Sequence, residues 1–295
     1  MSAHAGNTTG PAELLRRRVA DAPSNPLVTF YDDASGERVE LSAWTFDNWV
    51  AKTANLLVDG LAAEPGTRAV LVLPPHWQTA VWLLACWSAG LVVEPVDPAA
   101  VRARAGAGPG GAEPGGAGEP YILAVAQEVL DEVLADDVLT GGAEEVVGLS
   151  LHVLGGPLDE CPPGVTDYAV EVRAYGDRFV PDPDVTPESP ALTVTPGSGV
   201  TKDTLSWAEL FAAGRGAAEK WELDARDRLL VDMPFATLDG VLTGLLAPLI
   251  SGASVIIQRN FDKAALDRRL TMEHVTMVAG LPGWNDESGR PHRLT

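Results

Sequence analysis

Two short apolar runs, AVLVLPP (Ala69 to Pro75) and LVVEPVDP (Leu91 to Pro98), flank a stretch from Trp77 to Ala89 that is apolar almost throughout. Each run is apolar at consecutive positions and too short for an ordinary helix, the pattern of a strand buried on both faces. The stretch between them reads as a mostly buried helix ended by Gly90. Strand, helix, strand in that order is a strong constraint. Two such strands run parallel, and a parallel sheet must be covered on both faces by other elements. With 295 residues, 46% of them hydrophobic, the chain is long enough to supply those layers.

The rest of the chain agrees with that reading. Pro11 opens a helix carrying Leu14, Leu15 and Val19. LVTFY (Leu27 to Tyr31) and ERVEL (Glu37 to Leu41), separated by a turn at Ser35 and Gly36, read as a hairpin. Ser42 is placed to cap a helix whose apolar residues Phe46, Trp49, Val50, Leu57 and Leu61 keep helical spacing. Arg104 to Pro120 collapses to Gly, Ala, Pro and Glu and reads as a flexible loop. After it come strands at Tyr121 to Ala126, Val146 to Leu154 and Tyr168 to Tyr175, with a helix at Glu128 to Ala135. Beyond a Pro/Asp-rich segment, Pro181 to Pro190, the alternation resumes: helix 206–223, strand 229–232, helix 238–250, strand 253–258, helix 263–270 and strand 275–279. The expected fold is therefore α/β, two packed and largely parallel sheet layers, divided into 1–185 and 190–295. The polar tail after Pro282 is expected to be poorly ordered.

A formal net charge of -20 repels nucleic-acid phosphates and an anionic membrane surface alike. Fifteen carboxylates face only Arg173 and Arg178 between Glu128 and Glu188, an acidic block that reads as a solvated face. Cys86 and Cys161 are too few for a disulfide framework, which suits a reducing cytoplasm, and no stretch reaches 18 consecutive apolar residues. The histidines His4, His76, His152, His274 and His292 are scattered, with no H-E-x-x-H or C-x-x-C spacing, so no metal ligands are assigned. No G-x-S-x-G elbow occurs. Trp44, Trp49, Trp77, Trp82 and Trp87 fall at helical-face positions and are expected in the core.

The segment LTVTPGSGVTKDTLSWAEL, Leu192 to Leu210, carries the most chemistry. An apolar strand enters a loop with Gly197, Ser198, Gly199, Thr201 and Lys202, and the chain then heads toward a helix. Backbone N–H groups, hydroxyls and one lysine in such a loop can converge on a phosphate. It is not a Walker A motif, and the same residue types also make a plain surface turn, an alternative that spacing does not separate.

The wider order of segments resembles the N-terminal part of the adenylate-forming superfamily of acyl-CoA synthetases, adenylation domains and luciferases. The likeness runs from about Pro11 to Pro282. It includes VTFYDDASGERVELSAWTFDNWVAKTANLL, AVLVLPPHWQTAVWLLACWSAGLVVEPVDP, the glycine loop, and MPFATLDGVLTGLLAPLISGASVIIQRNFD. In that family a T-S-G-S-T-G-x-P-K-G loop holds the triphosphate of ATP. Thr195, Gly197, Ser198, Gly199 and Lys202 match it; Pro196, Thr201 and Asp203 do not. Pro196 removes an N–H, one hydroxyl residue is missing between Ser198 and Gly199, and Asp203 brings negative charge toward polyphosphate. Each lost transition-state donor would cost on the order of a hundredfold in rate.

The resemblance also puts Thr237, with Leu238 and Gly240, beside an acyl substrate, where acyl-CoA synthetases usually carry histidine or an aromatic residue. The family's Y-G-x-T-E-like and T-G-D segments, its hinge and its C-terminal domain with a catalytic lysine have no counterpart before Thr295. What this implies is a truncated, degenerate ligase-like protein with no catalytic residue assigned, acting by ligand or partner binding. Two other readings stand beside it. One is acid adenylation with a complementary chain, ATP or AMP with Mg²⁺ then lying on Ser198, Thr201 and Lys202. The other is a structural interaction module. The sheet edge near Val275 to Ala279 is expected to be covered by the tail or by a second chain.

Overall fold

The computed structural model describes residues 9–107, 120–153, 155–194, 203–281, 284 and 291–294. The chain opens with α1 (Pro11–Asp21), then the hairpin β1 (Pro26–Asp32) and β2 (Glu37–Ser42). Ser42 accepts a hydrogen bond from the Thr45 amide, 3.1 Å away, and so caps α2 (Ala43–Asn55), which runs on into a wider π turn. Next come β3 (Arg68–Val72), α3 (Trp77–Ser88), β4 (Val92–Val96), α4 (Pro98–Ala107) and β5 (Tyr121–Ala126). They are followed by α5 (Leu130–Leu134), α6 (Asp137–Thr140), β6 (Ala143–Leu149), β7 (Val165–Asp167) and α7 (Tyr168–Glu171). The second half holds β8 (Pro190–Val194), β9 (Asp203–Ser206), α8 (Trp207–Lys220), β10 (Arg228–Val231), α9 (Leu238–Val241), α10 (Ala247–Ser251), β11 (Ser254–Arg259), α11 (Lys263–Met272), β12 (Met277–Ala279) and β13 (His292–Arg293). A π turn, Leu242–Leu246, joins α9 to α10.

Two sheets result, one of seven strands in the order β7-β6-β5-β3-β4-β8-β9 and one of six in the order β13-β12-β10-β11-β1-β2. Every neighbouring pair is parallel except the hairpins β1–β2 and β8–β9. All of α3 is buried, and it packs against β4 of the larger sheet and β1 of the smaller one. One apolar core therefore spans both sheets. On the far face of the six-stranded sheet, Leu230, Ile256 and Val278 pack with Leu266 of α11.

The α/β class and the largely parallel layers are as expected, but the strands are not divided as 1–185 and 190–295. The first hairpin joins the six-stranded sheet through β1 and β11, while β8 and β9 join the seven-stranded sheet through β4.

Three local expectations change. Tyr168 to Tyr175 is not a strand. The Asp167 carboxylate accepts from the amides of Ala169 and Val170 at 2.9 and 3.3 Å, and this cap turns the chain into α7. The buried residues Tyr168, Ala169 and Val172 keep helical spacing, and the Tyr168 hydroxyl lies 2.6 Å from Thr53 Oγ1. Arg104 to Ala107 belong to α4, and 108–119 lie outside the described residues. Trp44 is 59% exposed, its indole N–H donating to Asn48 Oδ1 at 2.9 Å. Trp77, Trp82 and Trp87 are buried as expected. Within the tail, His292 and Arg293 pair with Met277 and Val278. The outer side of β12 is thus occupied by the chain's own tail.

Candidate functional site

In open parallel sheets, ligands sit beyond the carboxyl ends of the strands, where loops are free to vary over a rigid base. Here both sheets turn those ends toward each other: Arg259, the last residue of β11, is ion-paired with Glu128, which follows β5. Arg102 adds a hydrogen bond to the Glu128 carbonyl at 2.9 Å.

At one end of this shared edge stands the β8–β9 hairpin. Leu192 pairs with Leu205, Thr193 with Thr204 and Val194 with Asp203, and the two threonine hydroxyls lie 2.9 Å apart. Leu192 also pairs in parallel with Val93, so β8 points the same way as β4. Thr195, Gly197, Ser198, Gly199, Thr201 and Lys202, the expected phosphate loop, lie outside the described residues. What the structure does give is their mounting, a buried strand going in and a capped helix coming out. Ser206 ends β9 and caps α8 in a capping box: its hydroxyl accepts from the Glu209 amide at 3.3 Å, while the Glu209 carboxylate accepts from the Ser206 amide at 2.9 Å.

The segment 232–240 leaves the carboxyl end of β10. Thr237 is exposed, and its hydroxyl donates to the Pro234 carbonyl and accepts from the Gly240 amide, both at 3.1 Å, which caps α9. A β-carbon on Gly240 would stand 2.0 Å from the Pro234 carbonyl oxygen, so only glycine closes this turn. Leu238 packs, half-buried, against the main core, and Phe235 is buried across Gly244 of the π turn. The loop is therefore anchored by its own hydrogen bonds. α8 links it to the hairpin, packing on β8 and β9 at one side and on α10 and the π turn at the other.

Residues that motif reasoning passed over share the same edge. Asp232 follows β10, and burial, then the nearby charge of Asp33, raises its pKa to about 6. Asp33 follows β1; burial alone would raise it, but Arg269, the Asp262 amide and Gln258 hold it below its ordinary value. The Arg269 guanidinium meets Asp33 Oδ1 at 2.5 Å with both side chains buried, and stacks 4.1 Å above the Tyr31 ring. His76, one residue before α3, is also buried. Its Nδ1 accepts from the Gln78 amide at 3.1 Å, so the proton sits on Nε2, which has no hydrogen-bond partner among the described residues. Burial, with Arg259 nearby, keeps this imidazole neutral. The one available signal for Asp232 and Asp33 was positional, since both follow strand ends in a parallel sheet.

A hollow of about 850 Å³ lined by Trp221, Asp227, His274, Thr276 and His292 opens at the opposite, amino-terminal edge of the six-stranded sheet, away from these loops. Among the described residues no group of three or more His, Cys, Asp or Glu could hold a metal ion, and no helix is long and apolar enough to cross a membrane.

A TIGR03089 family protein of Mycobacterium tuberculosis (strain ATCC 25618 / H37Rv) is 38% identical over 275 residues, spanning 92% of this chain and 98% of its own. The chain belongs to the TIGR03089 family. The sulfoacetate–CoA ligase of Cupriavidus necator is 27% identical over 262 residues, covering 86% of this chain and 46% of the ligase. The crystal structure of Brucella canis acyl-CoA synthetase superposes with a TM-score of 0.73 at 18% identity, over 94% of this chain and 49% of that one. The fold is thus that of the N-terminal part of adenylate-forming enzymes, and the chain spans about half the length of these two CoA-linked relatives. No protein-family model matches the chain.

Proposed function

We propose that the chain binds the phosphates of a nucleotide at the segment between β8 and β9 and does not, by itself, carry acid activation through at an ordinary rate. The supporting observation is the mounting: residues 195–202 are bounded by Val194 and Asp203, which pair at the carboxyl end of a strand in a parallel sheet. Ser198, Thr201 and Lys202 would donate to phosphate oxygens, with the Thr193 and Thr204 hydroxyls at the mouth. Hydroxyl and lysine donors fit a nucleotide phosphate, and a bound Mg²⁺ would supply neutralisation of its charge. Asp203 is exposed where the strands meet and opposes free polyphosphate, and Pro196 offers no amide donor, which is why the reading stops at binding.

A second reading, ATP-dependent activation of a carboxylic acid together with a complementary chain, is favoured by the likeness to the sulfoacetate–CoA ligase. In it, Thr237, Leu238 and Gly240 border the acid. Titration calorimetry with MgATP tests the first reading. Saturable heat at micromolar Kd, weakened at least tenfold in Lys202→Ala, is the expected result. No heat up to about millimolar ATP, a binding free energy weaker than about 4 kcal/mol, overturns it. Pyrophosphate exchange that appears with a candidate acid only when a second chain is added would support the second.

A further inference from the structure

At the end of β8 opposite the 195–202 segment, a hollow of about 230 Å³ lies between the start of α1, the end of α3, residues 185–191 and the start of α8. Leu91 leads into β4 and Pro190 opens β8, so this is the amino-terminal edge of the seven-stranded sheet. Trp87 and Trp207 wall it, their ring centroids 5.7 Å apart, and Thr186 and Pro190 stand exposed at the mouth. The Pro187 carbonyl accepts from the Ala208 amide at 2.7 Å and the Ser189 carbonyl from the Trp207 amide at 3.0 Å, which ties the outer segment to α8. A β-carbon on Gly90 would stand 2.5 Å from Val185 Cγ2, so glycine at that position lets Val185 close the remaining wall.

The chemistry of this lining selects against ions. Among the described residues it holds no Asp, Glu, Lys, Arg or His, although the chain as a whole carries 41 carboxylates and 21 basic side chains. Its polar groups are mostly used by the chain itself. The Trp87 indole N–H donates to the Ala191 carbonyl at 2.9 Å, the Trp207 indole N–H to the Thr9 carbonyl at 2.8 Å, and the Ser189 hydroxyl accepts from the Thr186 amide at 3.0 Å. An ion placed here would give up water with no charge to meet it, whereas apolar surface would gain from leaving water. The size fits one ring, since an apolar cavity of about 150 Å³ is enough to hold benzene. We propose that this hollow binds a small, uncharged, hydrocarbon-like molecule against Trp87 and Trp207. The proposal is independent of nucleotide binding at 195–202.

Titration of the full chain with toluene, and with benzoate and benzylammonium as ions of like size, tests it through the indole N–H resonances of the tryptophans. Trp207→Phe identifies the Trp207 resonance by removing it. With toluene that resonance is expected to shift and saturate below about 1 mM, and with the two ions it should not move. Val185→Phe, which puts a ring into the hollow, should weaken toluene at least tenfold, while Lys202→Ala leaves it unchanged. The dispersion of the same spectra checks that each variant folds; if Val185→Phe does not, the comparison of toluene with the two ions still decides. No saturation up to about 1 mM toluene, an equal response to either ion, or a toluene affinity unmoved by Val185→Phe in a folded chain overturns the proposal.

Discussion

Asp232 and Asp33 show how the same burial ends differently according to what a carboxylate can reach. Asp33 has a guanidinium, a backbone amide and a glutamine amide, so its ionised form is favoured in the native state. Asp232 has burial and a like charge, and its pKa rises from 3.8 to about 6. A carboxyl whose native pKa is raised favours folding while protonated, a contribution fully present below 3.8 and lost as pH rises through about 6. Asp232→Asn is therefore expected to leave the protein at least as stable as the parent at pH 7 and to flatten its stability profile between those values. Urea unfolding across that range is the check; a variant less stable than the parent at pH 7 shows that the carboxylate makes a contact worth more than its burial costs. Thr237 makes the opposite point about legibility. Its position beside a glycine-ended turn was readable in the sequence, but its observed work is to cap α9.

Among the elements, α8 was the most legible at its start, because Ser206 and Glu209 stand at the spacing of a capping box. The reciprocal hydrogen bonds are present, and since Ser206 is also the last residue of β9, the cap fixes the angle between hairpin and helix. Ser206→Ala should cost about 1 kcal/mol of global stability. Amide exchange should quicken in the first turn of α8 and in β9 before it does elsewhere; unchanged protection there would mean that packing of Trp207 and Leu210, not the cap, holds the helix start. Tyr168 to Tyr175 was misread as a strand because its apolar residues fit both periods over so short a span, and the deciding residue, Asp167, lies just outside it. Where an apolar run is long, as in Trp77 to Ser88, its length alone tells helix from strand.

For the molecule as a whole, α3 is the shared core of both sheets, so neither sheet keeps its apolar face covered without it. Leu84→Ala, at a fully buried position of that helix, should cost about 2–5 kcal/mol. Both sheets should still unfold in one transition, followed together by dichroism and by the fluorescence of Trp82 and Trp87 in α3 and of Trp207 in α8. Two separated transitions would show that the sheets are independent units. The exchange of hairpins supports a single unit, because β1 lies beside β11 and β8 beside β4 across the midpoint of the chain.

The sequence by itself determined most of the elements, their order, the Ser42 cap of α2 and the parallel character of the sheets, because hydrophobic period and capping residues act within a few positions of one another. Only the tertiary structure decided which strands share a sheet and why Asp232 feels Asp33 from 199 residues away. Periodicity states that a face must be buried; what it is buried against, and which charges are then left without a partner, is settled by packing among residues distant along the chain.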